Sequence, residues 1–262
     1  MATQPAPNLP IFYQDLQPLS SSLHAKFATR GADSAPYFAK AHAIPLTVDE
    51  FVSAQRYTPI VFSAGENSVP LALMGLNEGV NVFLDNEGKA INPFYVPAYV
   101  RRYPFMLARL APDAQELSLC FDPKSDLVGE FKKDGLPLFE DEKPTENLNN
   151  ILKFCEDFEI AAQRTSAFMK ELEELDILID GEVAIQTEDA QQPYIYRGFR
   201  MIAEEKFREM HGDQLRKINQ NGILQLIHAH LFSLSLMRDI FGRQLALGKV
   251  PEQVAQPAPA DA

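Results

Sequence analysis

The sequence predicts an α+β protein in which an antiparallel, β-rich N-terminal part packs against a helical C-terminal part. Short runs of β-forming residues, separated by Gly and Asn turns, lie between residues 59 and 121. Beyond residue 144, apolar residues recur every three and four positions, which is the spacing of one helix face. We place the two parts at 1–143 and 144–250 and expect them to form one compact unit. Roughly the first ten residues are expected to be a loose arm, and 251–262 a disordered tail.

The N-terminal part begins with irregular chain and a short helix. Residues 18–40 show little periodicity, so loops are expected there. Thr47 and Glu50 have the spacing of a capping box at a helix start. Three prolines within 93–105 exclude one regular strand or helix across that segment. Strands are predicted at 59–63, 69–76, 80–84 and 117–121, with a tight turn at 85–88.

The C-terminal part follows a polar linker at 140–144 and is mostly helical. A long helix is predicted up to a break at 180–181. Its apolar stripe consists of Leu148, Ile151, Cys155, Phe158, Ala162, Thr165, Met169, Leu172 and Leu175. A short strand at 194–199 is expected to return to the sheet. Two further helices are predicted at about 203–218 and 223–247.

Composition limits the classes of partner and location. The formal net charge of -12 disfavours nucleic acid and anionic membrane surfaces as partners. Two cysteines, Cys120 and Cys155, fit reduced, buried thiols better than a disulfide framework or a zinc site. The N-terminus lacks the features of a secretory signal, and the apolar stretch 223–237 is too short and too polar to span a bilayer. We therefore expect a cytoplasmic protein that does not insert into membranes.

The first candidate site is a patch of arginines and tyrosines. Arg101 and Arg102 can bind a carboxylate or a phosphate through their planar guanidinium groups. Tyr99 belongs to the same patch, and Tyr95 and Tyr103 can stack on a ring or a sugar. The alternative is structural: arginines beside prolines fix a corner through backbone carbonyls or pair with some of the 36 acidic residues.

The second candidate is the His228 and His230 pair. Residues two positions apart on a helix point in nearly opposite directions, so these two histidines are poorly placed to bind one metal ion together. His230 lies in the apolar stripe of the last helix, which favours a buried, hydrogen-bonded structural role, whereas His228 faces a cleft or water. No metal site and no cofactor are predicted. The chain also lacks the phosphate-loop, GxSxG and HExxH motifs.

Several segments resemble the SapC-like family, over roughly residues 40 to 245. The most specific is the 95–105 run Tyr-Val-Pro-Ala-Tyr-Val-Arg-Arg-Tyr-Pro-Phe. The others are 59–62, 74–76, 81–83, 137–139, 196–199 and 229–234. One departure is the absence of Trp after Gly88, where this chain has Lys89 and Ala90. The resemblance implies a bacterial protein, encoded near flavin-dependent halogenase-like proteins, cupin-like proteins and outer-membrane receptors, and it carries over no catalytic residue set.

These observations favour a non-catalytic or accessory binding protein linked to a bacterial cell-surface or nutrient-uptake system. Its expected partner is a protein or a small anionic or aromatic ligand. The alternative is an enzyme that modifies a peptide or an aromatic small molecule with a flavin- or iron-dependent partner. A scaffold that forms a homodimer through its amphipathic helices is a third interpretation. The deciding question is whether the two arginines and the two histidines line one concave site.

Overall fold

The computed structural model describes residues 9–111, 116–131, 133–187 and 192–250, and it confirms the α+β class. The predicted tail and most of the predicted N-terminal arm lie outside these residues. The strands are β1 (Gln17–Pro18), β2 (Ala28–Thr29), β3 (Ala43–Pro45), β4 (Ile60–Ser63), β5 (Pro70–Leu73), β6 (Phe105–Ala108), β7 (Ser118–Phe121), β8 (Val128–Gly129), β9 (Leu136–Pro137), β10 (Phe139–Glu140), β11 (Lys143–Pro144), β12 (Leu178–Ile185) and β13 (Tyr194–Ile202). The helices are α1 (Phe51–Ala54), α2 (Ala98–Arg101), α3 (Glu146–Glu174), α4 (Glu204–Arg208), α5 (Gly212–Gln220), α6 (Ile223–Ser233) and α7 (Met237–Ala246), with 3-10 turns at Val48–Glu50 and Leu234–Leu236.

The largest sheet has five antiparallel strands in the order β12-β13-β4-β5-β3. Strand β13 pairs with β4 through Phe199 opposite Ser63 and Arg200 opposite Phe62. The predicted strand at 194–199 does return to this sheet, so both parts of the chain build it. Smaller sheets have the orders β1-β7-β6, β8-β2-β9 and β10-β11.

The helix α3 joins two apolar cores. Its C-terminal half packs Phe168 and Leu172 into the main core beside the five-stranded sheet. Its N-terminal half packs Leu148 and Cys155 into a second core. Thr145 caps its start by accepting a hydrogen bond from the backbone N–H of Leu148 at 3.3 Å. At 1.5 Å per residue this helix is about 43 Å long, which lets it contribute side chains to both cores.

The predicted strand at 80–84 is wrong. The described chain there forms a single bridge, between Leu84 and Ala90. Three successive side chains, Val82, Phe83 and Leu84, are buried, which a strand with alternating faces does not allow on a single core. The Asn81 side-chain oxygen accepts from the Phe83 N–H at 2.9 Å and thereby takes the place of a ladder bond. The predicted turn at 85–88 is confirmed, with Gly88 at φ 80.

The predicted break at 180–181 is also wrong. The helix α3 ends at Glu174, the chain turns at Asp176 with φ 52, and residues 180–181 lie within β12. Gly181 is needed inside that strand because a Cβ there would stand 2.2 Å from the Phe199 ring. The glycine therefore marks a close cross-strand contact, not the end of an element.

The two later helices are each interrupted. The predicted helix at 203–218 is α4 and α5, separated near His211, whose extended backbone begins α5. The predicted helix at 223–247 is α6 and α7, with a 3-10 turn between them. At that turn the Ser233 hydroxyl donates to the His230 carbonyl at 2.6 Å, a local bond that competes with regular helix geometry.

Candidate functional site

The segment 95–105 is held at both ends by buried carboxylates. At its start, Glu50 accepts hydrogen bonds from the Tyr95 hydroxyl at 3.0 Å and the Ala98 N–H at 2.6 Å. The other oxygen of Glu50 accepts from the N–H and hydroxyl of Thr47 at 2.8 and 2.9 Å, so the predicted capping box is confirmed. One carboxylate therefore fixes both a helix start and the entry to the arginine patch.

The other end of the segment is fixed by Asp122, which is fully buried. Its carboxylate accepts from the Tyr103 hydroxyl at 3.3 Å and from the backbone N–H groups of Gln14 and Lys124 at 2.8 and 2.9 Å. Between the two carboxylates the chain forms α2, and the Tyr103–Pro104 peptide bond is cis. Arg101, the last residue of α2, and Arg102, which follows it, are thus presented by a segment that is attached at both ends.

Arg101 is exposed and preorganised. Its Nε donates to the Val96 carbonyl at 3.1 Å, and its Nη2 donates to the Tyr95 hydroxyl at 3.2 Å. The guanidinium lies over the Phe154 ring at 5.3 Å and the Tyr95 ring at 5.8 Å. It makes no ion pair with any described residue. Its remaining N–H groups therefore carry a positive charge that the described chain does not neutralise.

Arg102, in contrast to Arg101, is buried. Its guanidinium lies over the rings of Tyr99 at 4.5 Å and Phe158 at 4.2 Å, which form a corner around it with their planes inclined at 62°. Its Nη1 lies 3.5 Å from a carboxylate oxygen of Glu159, and 7% of the side chain is exposed. The Nε finds no hydrogen-bond partner among the described residues. Both arginines therefore make some of the structural contacts expected of arginines beside prolines: Arg101 donates to a backbone carbonyl, and Arg102 pairs with a carboxylate.

The tyrosines of the patch are mainly anchors. Tyr99 donates to the Ile11 carbonyl at 3.3 Å, and Tyr103 packs against Tyr37 with ring centroids 4.3 Å apart. Burial raises the pKa of Tyr99 and of Tyr103. Burial, with the Glu50 carboxylate close by, raises the pKa of Tyr95 to about 12. All three remain neutral phenols near neutral pH.

A cavity of about 360 Å³ opens beside this segment and is lined by three arginines, Arg30, Arg101 and Arg102. No carboxylate is present among its described lining residues. Arg30 is exposed, its Nε donates to the Asp126 carbonyl at 2.7 Å, and it makes no ion pair within the described chain. A protein of net charge -12 thus concentrates cationic side chains in one concave place.

Sequence reasoning missed the other walls of this cavity. Arg30 lies in the irregular 18–40 segment, where no local pattern singles it out. Asn147, Asn150 and Phe154 come from α3 and also line the cavity. Their spacing of three and four places them on one helix face beside the buried stripe, which was a usable signal.

The structure does not bring the histidines to this cavity. His230 is fully buried, its Nδ1 bonds the Ile60 carbonyl at 2.8 Å, and its Nε2 accepts from the Ile202 N–H at 3.1 Å. These partners assign the proton to Nδ1. Burial lowers the pKa of His230 to about 4. It therefore has the buried, hydrogen-bonded position that its place in the stripe predicts.

His228 is half-buried and belongs to a different surface. Its ring stacks on Phe232 and meets Phe207 edge-on, with centroid distances of 5.6 Å in both cases. Neither histidine lines the cavity of the arginines. The described residues contain no group of three or more His, Cys, Asp or Glu side chains placed to hold a metal ion. Cys155 borders the cavity, but burial raises its thiol pKa to about 11, which disfavours the thiolate.

Comparison with known proteins gives one family. The model of the SapC family matches residues 19–240. No curated protein and no solved structure matches the chain. Within the described ranges, every helix is too short or too polar to cross a bilayer. Because the family match covers most of the sequence and includes the 95–105 segment, the chain belongs to the SapC family.

Proposed function

We propose that this chain is a non-catalytic accessory binding protein that works with a bacterial cell-surface or nutrient-uptake system. Its site is the cavity of Arg30, Arg101 and Arg102, and its ligand carries a carboxylate or phosphate group on a small molecule or a protein partner. A cytoplasmic location is part of the proposal and is supported by two free, buried cysteines. The observation that carries the proposal is the presence of Arg30 and Arg101 in one cavity without a carboxylate among its described lining residues.

The chemistry of the arginines supports an anionic ligand. A guanidinium group offers parallel N–H donors that match the two oxygens of a carboxylate or phosphate. In Arg30 and Arg101 the Nε is already bound to a backbone carbonyl, which orients each guanidinium before a ligand arrives. A side chain that is already ordered loses less conformational freedom on binding, and this favours affinity. The cavity volume of about 360 Å³ is within the range for small-molecule sites.

Isothermal titration calorimetry of the purified full chain tests this proposal with three probes: inorganic phosphate, succinate and N-acetylglutamate. At least one probe is expected to bind, with an affinity that falls as salt rises. Arg101→Gln and Arg30→Gln should each weaken that binding by about tenfold, since a hydrogen bond to a charged group is worth about 1.5–3 kcal/mol.

The matched control is Arg238→Gln, because Arg238 is an exposed arginine on α7 far along the chain from the cavity residues. It should leave the affinity unchanged. Binding that is equal in the Arg101→Gln, Arg30→Gln and control variants would exclude the cavity as the site. A complete lack of binding by all three probes would overturn the proposal.

A further inference from the structure

Arg30 stands where three cavities meet. Cavities of about 360, 540 and 370 Å³ are all lined by Arg30, Tyr103 and Leu127. Because they share these lining residues, the three cavities lie next to one another around Arg30, and we refer to them together as the groove. Together they offer more space than a single carboxylate or phosphate requires.

Charge is distributed unevenly along this groove. The cavity at Arg101 and Arg102 has no carboxylate among its described lining residues. The cavity of about 370 Å³ is lined by Arg30, Arg101 and Asp33, and the cavity of about 540 Å³ by Arg30, Lys124 and Asp126. Positive charge is therefore greatest in the cavity of about 360 Å³ and is partly offset by one carboxylate in each of the other two, which matches an occupant with its negative charge at one end.

The cavities of about 540 and 370 Å³ share a wall of exposed main chain. Residues Gly31, Ala32 and Ser34 line both cavities. Before them the Arg30 N–H donates to the Leu127 carbonyl at 3.1 Å, and after them the Ala35 N–H donates to the Gly88 carbonyl at 2.8 Å. Between these two bonds, residues 31–34 make no backbone hydrogen bond to any other described residue. The N–H and C=O groups of these four residues therefore have no main-chain partner within the described chain.

We propose that the groove binds an extended peptide with an acidic end. The carboxylate enters the cavity between Arg30 and Arg101, and the peptide main chain pairs with residues 31–34. A peptide carries an N–H and a C=O group in nearly every residue, so it can exchange main-chain hydrogen bonds with residues 31–34 on either side of the bend at Asp33. This inference rests on the proposed function and names the class of ligand for the same site.

A length series separates this inference from simple anion binding. Calorimetry compares N-acetylglutamate with the free acids acetyl-Ala-Ala-Glu and acetyl-Ala-Ala-Ala-Ala-Glu, and with the reversed amide acetyl-Glu-Ala-Ala-Ala-Ala-NH₂. One of the two five-residue peptides, whichever has the orientation that fits the groove, should bind about tenfold tighter than N-acetylglutamate, a difference of about 1.4 kcal/mol. N-methylation of its alanine nitrogens should remove this gain, because a methylated nitrogen donates no hydrogen bond.

Two variants locate the contacts on the protein. Arg101→Gln should weaken N-acetylglutamate and the longer peptide by the same factor. Ala32→Pro removes one main-chain N–H from the exposed wall and should reduce the gain with length while leaving N-acetylglutamate binding unchanged. Ala32→Ser is its matched control and should keep the gain, with thermal melts to verify that both variants fold.

The outcomes are distinguishable. If N-acetylglutamate binds through Arg101 and neither longer peptide binds more tightly, the extended peptide is wrong and the proposed function stands. If oligogalacturonates gain affinity with length and the peptides do not, the occupant is an acidic sugar chain and this inference is overturned. If no probe binds, both proposals fail.

Discussion

The hydroxyl of Tyr95 donates a 3.0 Å hydrogen bond to the buried carboxylate of Glu50. The same hydroxyl accepts a bond from Arg101 at 3.2 Å. Arg101 at the surface is therefore connected through one phenol to a carboxylate that also caps the 3-10 turn at 48–50. The position of the candidate ligand-binding arginine depends on this chain of contacts.

Glu50→Gln should destabilise the fold by about 2–4 kcal/mol. Each carboxylate oxygen of Glu50 accepts two hydrogen bonds, so an amide NH₂ in either place would face two donors. Urea denaturation followed by circular dichroism measures the loss. Glu87→Gln is the control, because Glu87 is exposed in the 85–88 turn and should change the free energy of unfolding very little. Equal midpoints for the two variants would contradict the role assigned to Glu50.

His230 should make stability depend on pH between about 6.5 and 4. Its pKa falls from 6.5 to about 4 on folding, so the unfolded chain binds the proton more readily than the folded chain does. Above pH 6.5 the neutral ring makes its full contribution to the free energy of unfolding. As the pH falls from about 6.5 to about 4, this contribution is lost and the free energy of unfolding decreases by roughly 3 kcal/mol in total.

The measurement for His230 is the free energy of unfolding at pH 7 and pH 4.5, in the native protein and in His230→Gln. The variant lacks the titrating ring, so its drop in stability between the two pH values should be smaller by about 2 kcal/mol or more. Comparing the two drops cancels the other titrating groups. Identical drops would show that the buried ring does not carry the pH dependence.

Arg102→Lys should cost about 1–2 kcal/mol of stability, although the charge is retained. A lysine ammonium is not planar and cannot replace the contacts that the guanidinium makes with both the Tyr99 and Phe158 rings. Thermal unfolding of the variant, compared with the exposed Arg238→Lys, checks this expectation. A melting temperature as high as that of the control would mean that the contacts of the guanidinium with these two rings contribute little to stability.

Two glycine substitutions should act in opposite directions. Gly242→Ala in α7 meets no atom within 4 Å, so it should stabilise the fold by about 0.5–1 kcal/mol through helix propensity. Gly75→Ala would put its Cβ 2.1 Å from the Val80 carbonyl oxygen. Because the main chain must then move, this variant should destabilise the fold by several kcal/mol. The denaturant midpoints of both variants test these two expectations. A Gly75→Ala variant that is more stable than the native protein would contradict the close contact between residue 75 and the Val80 carbonyl.

The sequence by itself determined the features that depend on neighbours in the chain. The stripe from Leu148 onward predicted α3, because side chains three and four apart share one helix face whatever lies opposite. The spacing of Thr47 and Glu50 predicted their capping box, and Gly88 predicted a turn, since each involves a few consecutive residues. The resemblance to the SapC family rested on the 95–105 run in the same way.

The tertiary structure decided everything that joins distant segments. Gly181 suggested a break, yet it lies within a strand because Phe199 packs over it. Arg30 and Arg101 share a cavity, while His230 is enclosed against Ile60 and Ile202 in the core. No local pattern encodes such pairings, because they arise when the cores close and bring remote side chains together. A local pattern fixes which way a side chain points along its own element, and the packing of the elements fixes what it meets.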